Sequence, residues 1–162
     1  MIQLRHANAK DVKAISELEA LCFPAAEACT KEGFAKRIDV FGEHFILLEE
    51  DGKLIGMING MVTDQPTITD DLYEEASKHD PNGRYQSVFG LEVHPDYQHQ
   101  GYAKLLMEAM LEQAKKEKRS GCILTCKAHL VTFYEQFGYQ NQGISASTHG
   151  NACWYDMFLD LA

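Results

Sequence analysis

The chain has 162 residues, a formal net charge of −9, 45% hydrophobic residues and 24% charged residues. This composition is ordinary for a soluble globular protein, and the length suits one domain over residues 1–162. The acidic charge argues against a nucleic-acid partner and is compatible with a cationic partner such as an amine. No apolar run is long enough for a membrane span, and residues 1–12 lack the apolar region of a signal peptide, so a cytoplasmic protein without a membrane partner is expected.

The five cysteines are Cys22, Cys29, Cys122, Cys126 and Cys153. An odd number in a cytoplasmic chain indicates free thiols. No CxxC pair is present, and the seven histidines do not stand at zinc-ligand spacing beside the cysteines, so no metal site is expected. Cys122 and Cys126 fall on one face of a predicted buried strand, where cysteine acts as a small hydrophobic residue.

The first elements predicted are a strand and two helices. Residues 2–7 predict a strand, and apolar residues at helical spacing predict a helix over 9–23. This helix is expected to end at Pro24. Thr30 is a suitable N-cap for a second, short helix over 31–38.

A hairpin and a third helix are predicted next. Two β-rich runs within residues 43–63 flank Asp51-Gly52, a strong hairpin signal. Thr69 is a suitable cap for a helix over 70–79, which has acidic residues in its first turn.

The second half alternates between strands and helices. Residues 84–93 predict the fourth strand, and its interior Gly90 is typical of a bulge or of close approach by a ligand. The remaining patterns are helix, strand, helix, strand and strand, over residues 101–118, 121–128, 130–137, 139–146 and 152–161. Strands paired by a hairpin and then crossed by helices make a mixed sheet with helices on both faces. The predicted fold class is therefore a three-layer α/β domain.

The stretch QHQGYA, Gln98 to Ala103, joins the fourth strand to the longest predicted helix. The first amides of a helix have no partner within it and lie at the positive end of its dipole, so they bind phosphate groups. Gly101 and Ala103 keep that surface free of large side chains, and loop amides can join the same anion site. The stretch has neither the ending of a Walker loop nor the glycines of a dinucleotide fingerprint. Alone, it is a weak signal for an anion site.

Together with FYEQFGY, Phe133 to Tyr139, this stretch resembles the GNAT superfamily of acetyl-CoA-dependent N-acetyltransferases. In that family Arg/Gln-x-x-Gly-x-Gly/Ala binds the CoA pyrophosphate, and Phe-Tyr-x-x-Phe-Gly-Phe/Tyr follows the fifth strand. The segments LCFP, DGKLIGMINGMVTD and CKAHLVTFYEQFGYQNQG are similar to its arylalkylamine N-acetyltransferase branch. The likeness covers residues 4–160. It implies a GNAT-type fold with a mixed, mostly antiparallel sheet of about seven strands and a splay after the fourth.

The resemblance implies acetyl-CoA as co-substrate, without a metal. Backbone groups that hold the pantetheine arm match Leu91, Glu92 and Val93. The pyrophosphate loop matches Gln98, His99, Gln100, Gly101, Tyr102, Ala103 and, at its end, Lys104. Tyr134 matches the tyrosine that contacts the cofactor and protonates the leaving CoA thiolate. For Leu91, Val93 and Tyr134 the alternative is simple packing in the core.

The proton acceptor has no match in this chain. The branch carries a His-x-His pair where this chain has Ser87 and Phe89, and many other relatives have glutamate at the first position. Ser87 can still anchor a water molecule in a proton relay, which makes it a catalytic candidate. His129, Glu92 and Asp64 are further candidates.

The residues expected to contact the acceptor are Phe23, Pro24, Phe89, Leu91 and Thr125. The predicted function is transfer of the acetyl group of acetyl-CoA to a primary amine of a small molecule by direct attack, with Tyr134 as general acid. The alternatives are a protein or peptide acceptor and a non-catalytic acyl-CoA-binding module. The chain is expected to be a monomer or a homodimer.

Overall fold

The computed structural model describes all 162 residues, Met1–Ala162. Its nine strands are β1 (Ile2–His6), β2 (Phe45–Glu50), β3 (Lys53–Asn59), β4 (Val62–Thr63), β5 (Tyr85–Val88), β6 (Gly90–Val93), β7 (Gly121–Cys126), β8 (Gln140–Ile144) and β9 (Tyr155–Asp160). Its five α-helices are α1 (Val12–Cys22), α2 (Lys31–Phe41), α3 (Asp70–Glu74), α4 (Tyr102–Lys116) and α5 (Val131–Glu135). None of these helices is long and apolar enough to cross a membrane.

The strands form two sheets, ordered β1-β2-β3-β6 and β4-β5-β7-β9-β8. Every pairing is antiparallel except that of β5 with β7. The predicted third strand is divided into β3 and β4, and the predicted fourth strand is divided into β5 and β6. Each division lies where the chain passes from one sheet to the other. The predicted mixed, mostly antiparallel α/β fold is confirmed.

Helices cover both faces of the first sheet because side chains alternate along β2. Phe45 and Leu47 pack in a buried cluster with α1 and α2. Ile46 and Leu48 point the opposite way and pack in a larger buried cluster with α4. Successive side chains of a strand face opposite sides of a sheet, so one strand supplies both cores.

Two local predictions in the first half are confirmed. Asp51 and Gly52 have φ values of 50° and 85°, as the tight turn of a β-hairpin requires. Thr30 caps α2, where its hydroxyl oxygen accepts a hydrogen bond from the Gly33 N–H at 3.0 Å.

The predicted cap at Thr69 is wrong. Thr69 precedes α3, but its side chain makes no hydrogen bond to the helix backbone. Its hydroxyl bonds instead to the side chain of Asp71. The helix ends at Glu74, short of the predicted 70–79, and a 3-10 turn follows at Ala76–Lys78.

All five cysteines are free thiols. Cys122 and Cys126 are buried in the cluster that packs against α4, as small hydrophobic residues. No three His, Cys, Asp or Glu side chains are grouped as a metal ion would require.

Candidate active site

The two sheets part between β6 and β7. The parallel pairing of β5 with β7 ends at Val88 opposite Leu124. The chain then turns, and β6 pairs with β3, beginning at Gly90 opposite Asn59. No pairing joins β6 to β7. The edge of β6 at Leu91 therefore faces a gap in which backbone groups can bind a ligand.

A cavity of about 580 Å³ extends from this gap to the start of α4. We call it the cofactor cavity. Its wall contains every residue predicted to hold the cofactor except Gln100, namely Leu91, Glu92, Val93, Gln98, His99, Gly101, Tyr102, Ala103, Lys104 and Tyr134. The fold thus gathers the predicted strand and loop residues around one space.

The loop before α4 is shaped by left-handed backbone positions. His99 has φ 64°, and Gly101, the N-cap of α4, has φ 85°. A Cβ atom at Gly101 would meet no atom within 4 Å, so the space beyond it is open. The Leu105 N–H donates to the Gly101 carbonyl at 3.1 Å, which leaves the preceding amides of the first turn without a partner in the helix. Gln98 ties the loop to β6 by donating its side-chain N–H to the Val93 carbonyl at 3.1 Å.

Three basic side chains line the cofactor cavity, two of them outside the predicted pyrophosphate loop. Lys127 follows β7 and pairs with Glu27, Nζ to Oε2, at 2.8 Å. His129 lies exposed in the next turn. Lys104 is exposed in the first turn of α4. Together with the helix start, these residues are suited to a ligand with several phosphates.

A second cavity, of about 350 Å³, lies on the other side of the gap. We call it the acceptor cavity. Of the residues expected to contact the acceptor, Phe23, Phe89, Leu91 and Thr125 line this cavity, whereas Pro24 lines only the cofactor cavity. Two segments that are distant in the chain form part of its polar wall. The hydroxyl oxygens of Tyr73 and Thr125 are 2.6 Å apart there.

Tyr134 lies where the two cavities meet, since it lines both. The residue is 7% exposed, and its ring packs edge-to-face against Phe133 and Tyr139. No protein group is hydrogen-bonded to its hydroxyl. Burial raises the pKa of Tyr134 far above its ordinary value, so the phenol remains protonated at neutral pH. A protonated, unpartnered hydroxyl at this junction can donate a proton to a ligand.

The candidate proton acceptors lie in different places. Ser87 is fully buried in β5, lines neither cavity and donates its hydroxyl to the Met61 carbonyl at 2.8 Å. Asp64 is exposed and pairs with Arg84 at 2.9 Å, away from both cavities. His129 lines the cofactor cavity and not the acceptor cavity. Of these candidates only Glu92 is both buried and unpartnered.

Sequence reasoning missed several polar residues of the acceptor cavity. Arg37 holds its guanidinium 4.8 Å from the Phe89 ring centroid. His149 stacks on Tyr73 with ring centroids 5.1 Å apart. Glu19 lines the same cavity. A signal existed for Glu19 and Arg37, because both fall on the apolar faces of predicted helices, where a charged residue requires an explanation.

A profile of the Acetyltransferase (GNAT) family matches residues 12–139. The serotonin N-acetyltransferase of Mesocricetus auratus is 30% identical over 113 residues, which are 69% of this chain and 53% of that protein. The chain thus spans about half the length of this curated relative.

Two solved structures share the fold. The loading GNATL domain of CurA from Lyngbya majuscula has a TM-score of 0.89 at 17% identity, covering 99% of this chain and 98% of that one. The GphF GNAT-like decarboxylase in complex with isobutyryl-CoA has a TM-score of 0.84 at 19% identity, covering 99% and 100%. The family profile spans most of the sequence. The chain belongs to the GNAT acetyltransferase family.

Proposed function

We propose that this protein is an N-acetyltransferase that transfers the acetyl group of acetyl-CoA to a primary amine of a small molecule. One observation carries the proposal: Tyr134, whose hydroxyl has no hydrogen-bond partner in the protein, lines both cavities. One cavity suits a CoA thioester and the other suits an acceptor, so the reacting atoms would meet beside a proton donor.

The cofactor cavity offers a separate contact for each part of CoA. The amides at the start of α4 and the side chain of Lys104 would bind the pyrophosphate. The free edge of β6 would bind the pantetheine arm through its backbone. A backbone N–H near Leu91 would polarise the thioester carbonyl.

The reaction proposed is direct attack without an acetylated protein. The amine nitrogen attacks the thioester carbonyl, the N–C bond forms and the C–S bond breaks. Tyr134 donates its proton to the departing sulfur and regains one from the nitrogen. Because a thioester reacts readily with a neutral amine, holding the two reactants together supplies much of the rate.

The size of the acceptor cavity favours a small molecule. A volume of about 350 Å³ lies at the lower end of ordinary ligand pockets. A peptide acceptor would place only its terminal residue in this space, with the rest of the chain outside. That alternative, and a non-catalytic acyl-CoA-binding module, are outcomes of the experiment below.

The experiment measures release of CoA thiol from acetyl-CoA with a panel of arylalkylamines, polyamines, amino acids, aminoglycosides and short peptides. Release with one amine class supports the proposal and identifies the acceptor class. Release with peptides alone favours the peptide acceptor. Acetyl-CoA binding without thiol release from any amine contradicts the proposal and favours the binding module.

Tyr134→Phe tests the proposed general acid. We expect kcat to fall roughly tenfold or more, because the leaving thiolate loses its proton donor. Acetyl-CoA affinity should change by less than about twofold, because only the hydroxyl is removed. Binding can be followed by fluorescence of Trp154, the single tryptophan, which lines both cavities.

The matched control is Tyr139→Phe. Tyr139 is also a buried tyrosine, but its hydroxyl donates to Cys122 Sγ at 2.9 Å and lines neither cavity. This control should keep the wild-type kcat. Equal kcat values for Tyr134→Phe and the wild type would remove Tyr134 as the acid.

A second candidate reaction, decarboxylation of a carboxyacyl-CoA, is favoured by Arg37. This buried cation lines the acceptor cavity, has no carboxylate within 4.0 Å and could bind the carboxylate of an acyl group. The GphF fold neighbour is described as a decarboxylase. The carboxyl groups of Glu19 and Glu92 beside the cavity disfavour an acid, so we place the amine acceptor first. Conversion of malonyl-CoA to acetyl-CoA without any amine would reverse that order.

A further inference from the structure

Two buried carboxyl groups meet at the boundary of the cavities. Glu92 on β6 is 4% exposed and lines the cofactor cavity. Glu19 on α1 is 7% exposed and lines the acceptor cavity. Glu19 accepts a hydrogen bond at Oε2 from the Cys29 N–H at 2.8 Å. Neither carboxyl oxygen of Glu92 accepts a hydrogen bond from an N–H or O–H group of the protein.

Two adjacent carboxylates cannot satisfy one another, because neither has a proton to donate. A single proton held between Glu19 and Glu92 gives each carboxyl group a hydrogen-bond partner. Burial, and then the charge of Glu19, hold the pKa of Glu92 well above its ordinary value. The raised pKa favours the protonated form of Glu92, which can donate its proton to Glu19.

Gly90 lies next to both the Glu92 carboxyl group and the acceptor cavity. A Cβ atom at Gly90 would lie 3.3 Å from Glu92 Oε1 and 3.5 Å from Asn59 Nδ2. Gly90 itself lines the acceptor cavity. The Glu92 carboxyl group thus lies beside Gly90, and both of its oxygens are buried behind the wall of that cavity.

The charged and titratable groups around Glu92 come from α1, α2 and the segment between them. Besides Glu19, α1 contributes the Cys22 thiol. From α2, Arg37 donates to the Asn59 side-chain carbonyl at 3.1 Å and to the Tyr73 main-chain carbonyl at 3.3 Å. The segment between these helices contributes Cys29. Burial raises the pKa of its thiol, while the charge of Arg37 lowers it and the charge of Glu19 raises it. The residues of β3 that face Glu92 are uncharged.

We propose that Glu19 and Glu92 together bind the ammonium group of the acceptor and accept its proton, an inference that rests on the acetyltransferase function proposed above. The ammonium takes the place of the shared proton, which leaves for solvent. One proton of the bound ammonium is then transferred to Glu92, so that an O–H bond replaces the N–H bond, and the lone pair left on the neutral nitrogen attacks the thioester carbonyl.

The protons balance over one cycle. The pair begins with one shared proton, loses it to solvent when the ammonium binds and regains one from the ammonium. The second proton of the nitrogen replaces the one that Tyr134 donates to the sulfur. The products are the amide, CoA thiol and one released proton, and both groups return to their starting states.

Infrared spectroscopy tests the pair without any catalytic turnover. The free protein at neutral pH should show a carboxylic-acid C=O stretching band that is lost in Glu92→Gln and in Glu19→Gln. The band should remain in Glu17→Gln, which alters an exposed carboxylate on α1, the helix that carries Glu19. Methylammonium chloride should weaken the band, whereas tetramethylammonium chloride, which has no N–H to donate, should not.

Kinetics with the amine that supports thiol release test proton transfer. Glu92→Gln should lower kcat about 100-fold, with circular dichroism and acetyl-CoA affinity like those of the wild type. Its rate should rise steadily with pH, because only amine that is already neutral can react. Glu17→Gln should retain the wild-type rate and pH profile.

The two sets of measurements separate the two proposals. A missing infrared band, a band that methylammonium leaves unchanged, or a wild-type pH profile in Glu92→Gln would each overturn the role of the pair. A band that responds to methylammonium in a protein that releases no thiol would contradict the acetyltransferase function and leave the ammonium site standing.

Discussion

Gly101 combines a backbone requirement with an open surface. Its φ of 85° lies in the left-handed region that favours glycine, and a Cβ atom there would meet nothing within 4 Å. The fold therefore constrains the backbone of this residue and does not crowd its side-chain position. The space left open lies at the start of α4, where we propose that the pyrophosphate binds.

Gly101→Glu is expected to fold and to lose acetyl-CoA affinity by about tenfold or more, because its carboxylate would oppose the pyrophosphate. Trp154 fluorescence measures the affinity. Gly101→Asn is the control, because asparagine tolerates a left-handed backbone and adds no charge. Wild-type affinity in folded Gly101→Glu would show that the phosphates bind elsewhere.

At the scale of elements, α2 carries Arg37, whose side chain lines the acceptor cavity. The first turn of α2 is stabilised by its N-cap residue, Thr30. The Thr30 hydroxyl accepts from the Gly33 N–H at 3.0 Å. Without that bond, one of the first amides of the helix has only water as a partner. The position of the Arg37 guanidinium, over the Phe89 ring, depends on the integrity of this helix.

Thr30→Ala is expected to lower the free energy of unfolding by about 1 kcal/mol through loss of the cap. Chemical denaturation measures the change. The matched control is Thr67→Ala, an exposed loop threonine whose hydroxyl makes no hydrogen bond, and it should lie within about 0.5 kcal/mol of the wild type. Equal stabilities of the two variants would contradict a stabilising cap.

At the scale of the whole molecule, a pair of histidines connects elements of the two sheets. His44 precedes β2, is buried and contacts Gln86 of β5 through Nδ1 at 2.8 Å. His79 follows α3 and accepts from the Val62 N–H at 3.0 Å. The two rings lie 5.3 Å apart, centroid to centroid. Protonating both would place two charges within this partly buried space.

Stability should therefore fall in mild acid. Burial, then the neighbouring His44 and Arg119, lower the pKa of His79 from 6.5 to about 4. Asp80 and Glu117 oppose that shift only in part. The unfolded chain binds the proton first, so stability is full above about pH 6.5 and declines as pH falls toward about 4.

His79→Asn tests the acid sensitivity, because its side-chain oxygen can still accept from Val62 while the residue no longer titrates. The melting temperature of this variant should depend less on pH between about 6.5 and 4 than that of the wild type. Parallel curves for the two proteins would contradict a contribution from His79.

Much of the fold was predictable because its signals are local. The Asp51-Gly52 turn and the Thr30 cap depend on residues within a few positions of each other, and both are confirmed. Thr69 has the same chemistry as Thr30, yet its hydroxyl bonds to Asp71 instead of capping α3. A threonine before a helix can form a hydrogen bond to the helix backbone or to a nearby side chain. Which of these bonds forms depends on the surrounding structure.

The sequence by itself determined the order of strands and helices, the loop at Gly101 and the position of Tyr134 on a short helix, because each rests on neighbouring residues. Only the tertiary structure decided which polar groups lie beside the two cavities. Glu19 and Glu92 are far apart in the chain, and Ser87 bonds to Met61 instead of reaching a cavity. Burial, and then the charge of Glu19, raise the pKa of Glu92, and both effects arise only when α1 packs on β6 beside the gap between the sheets.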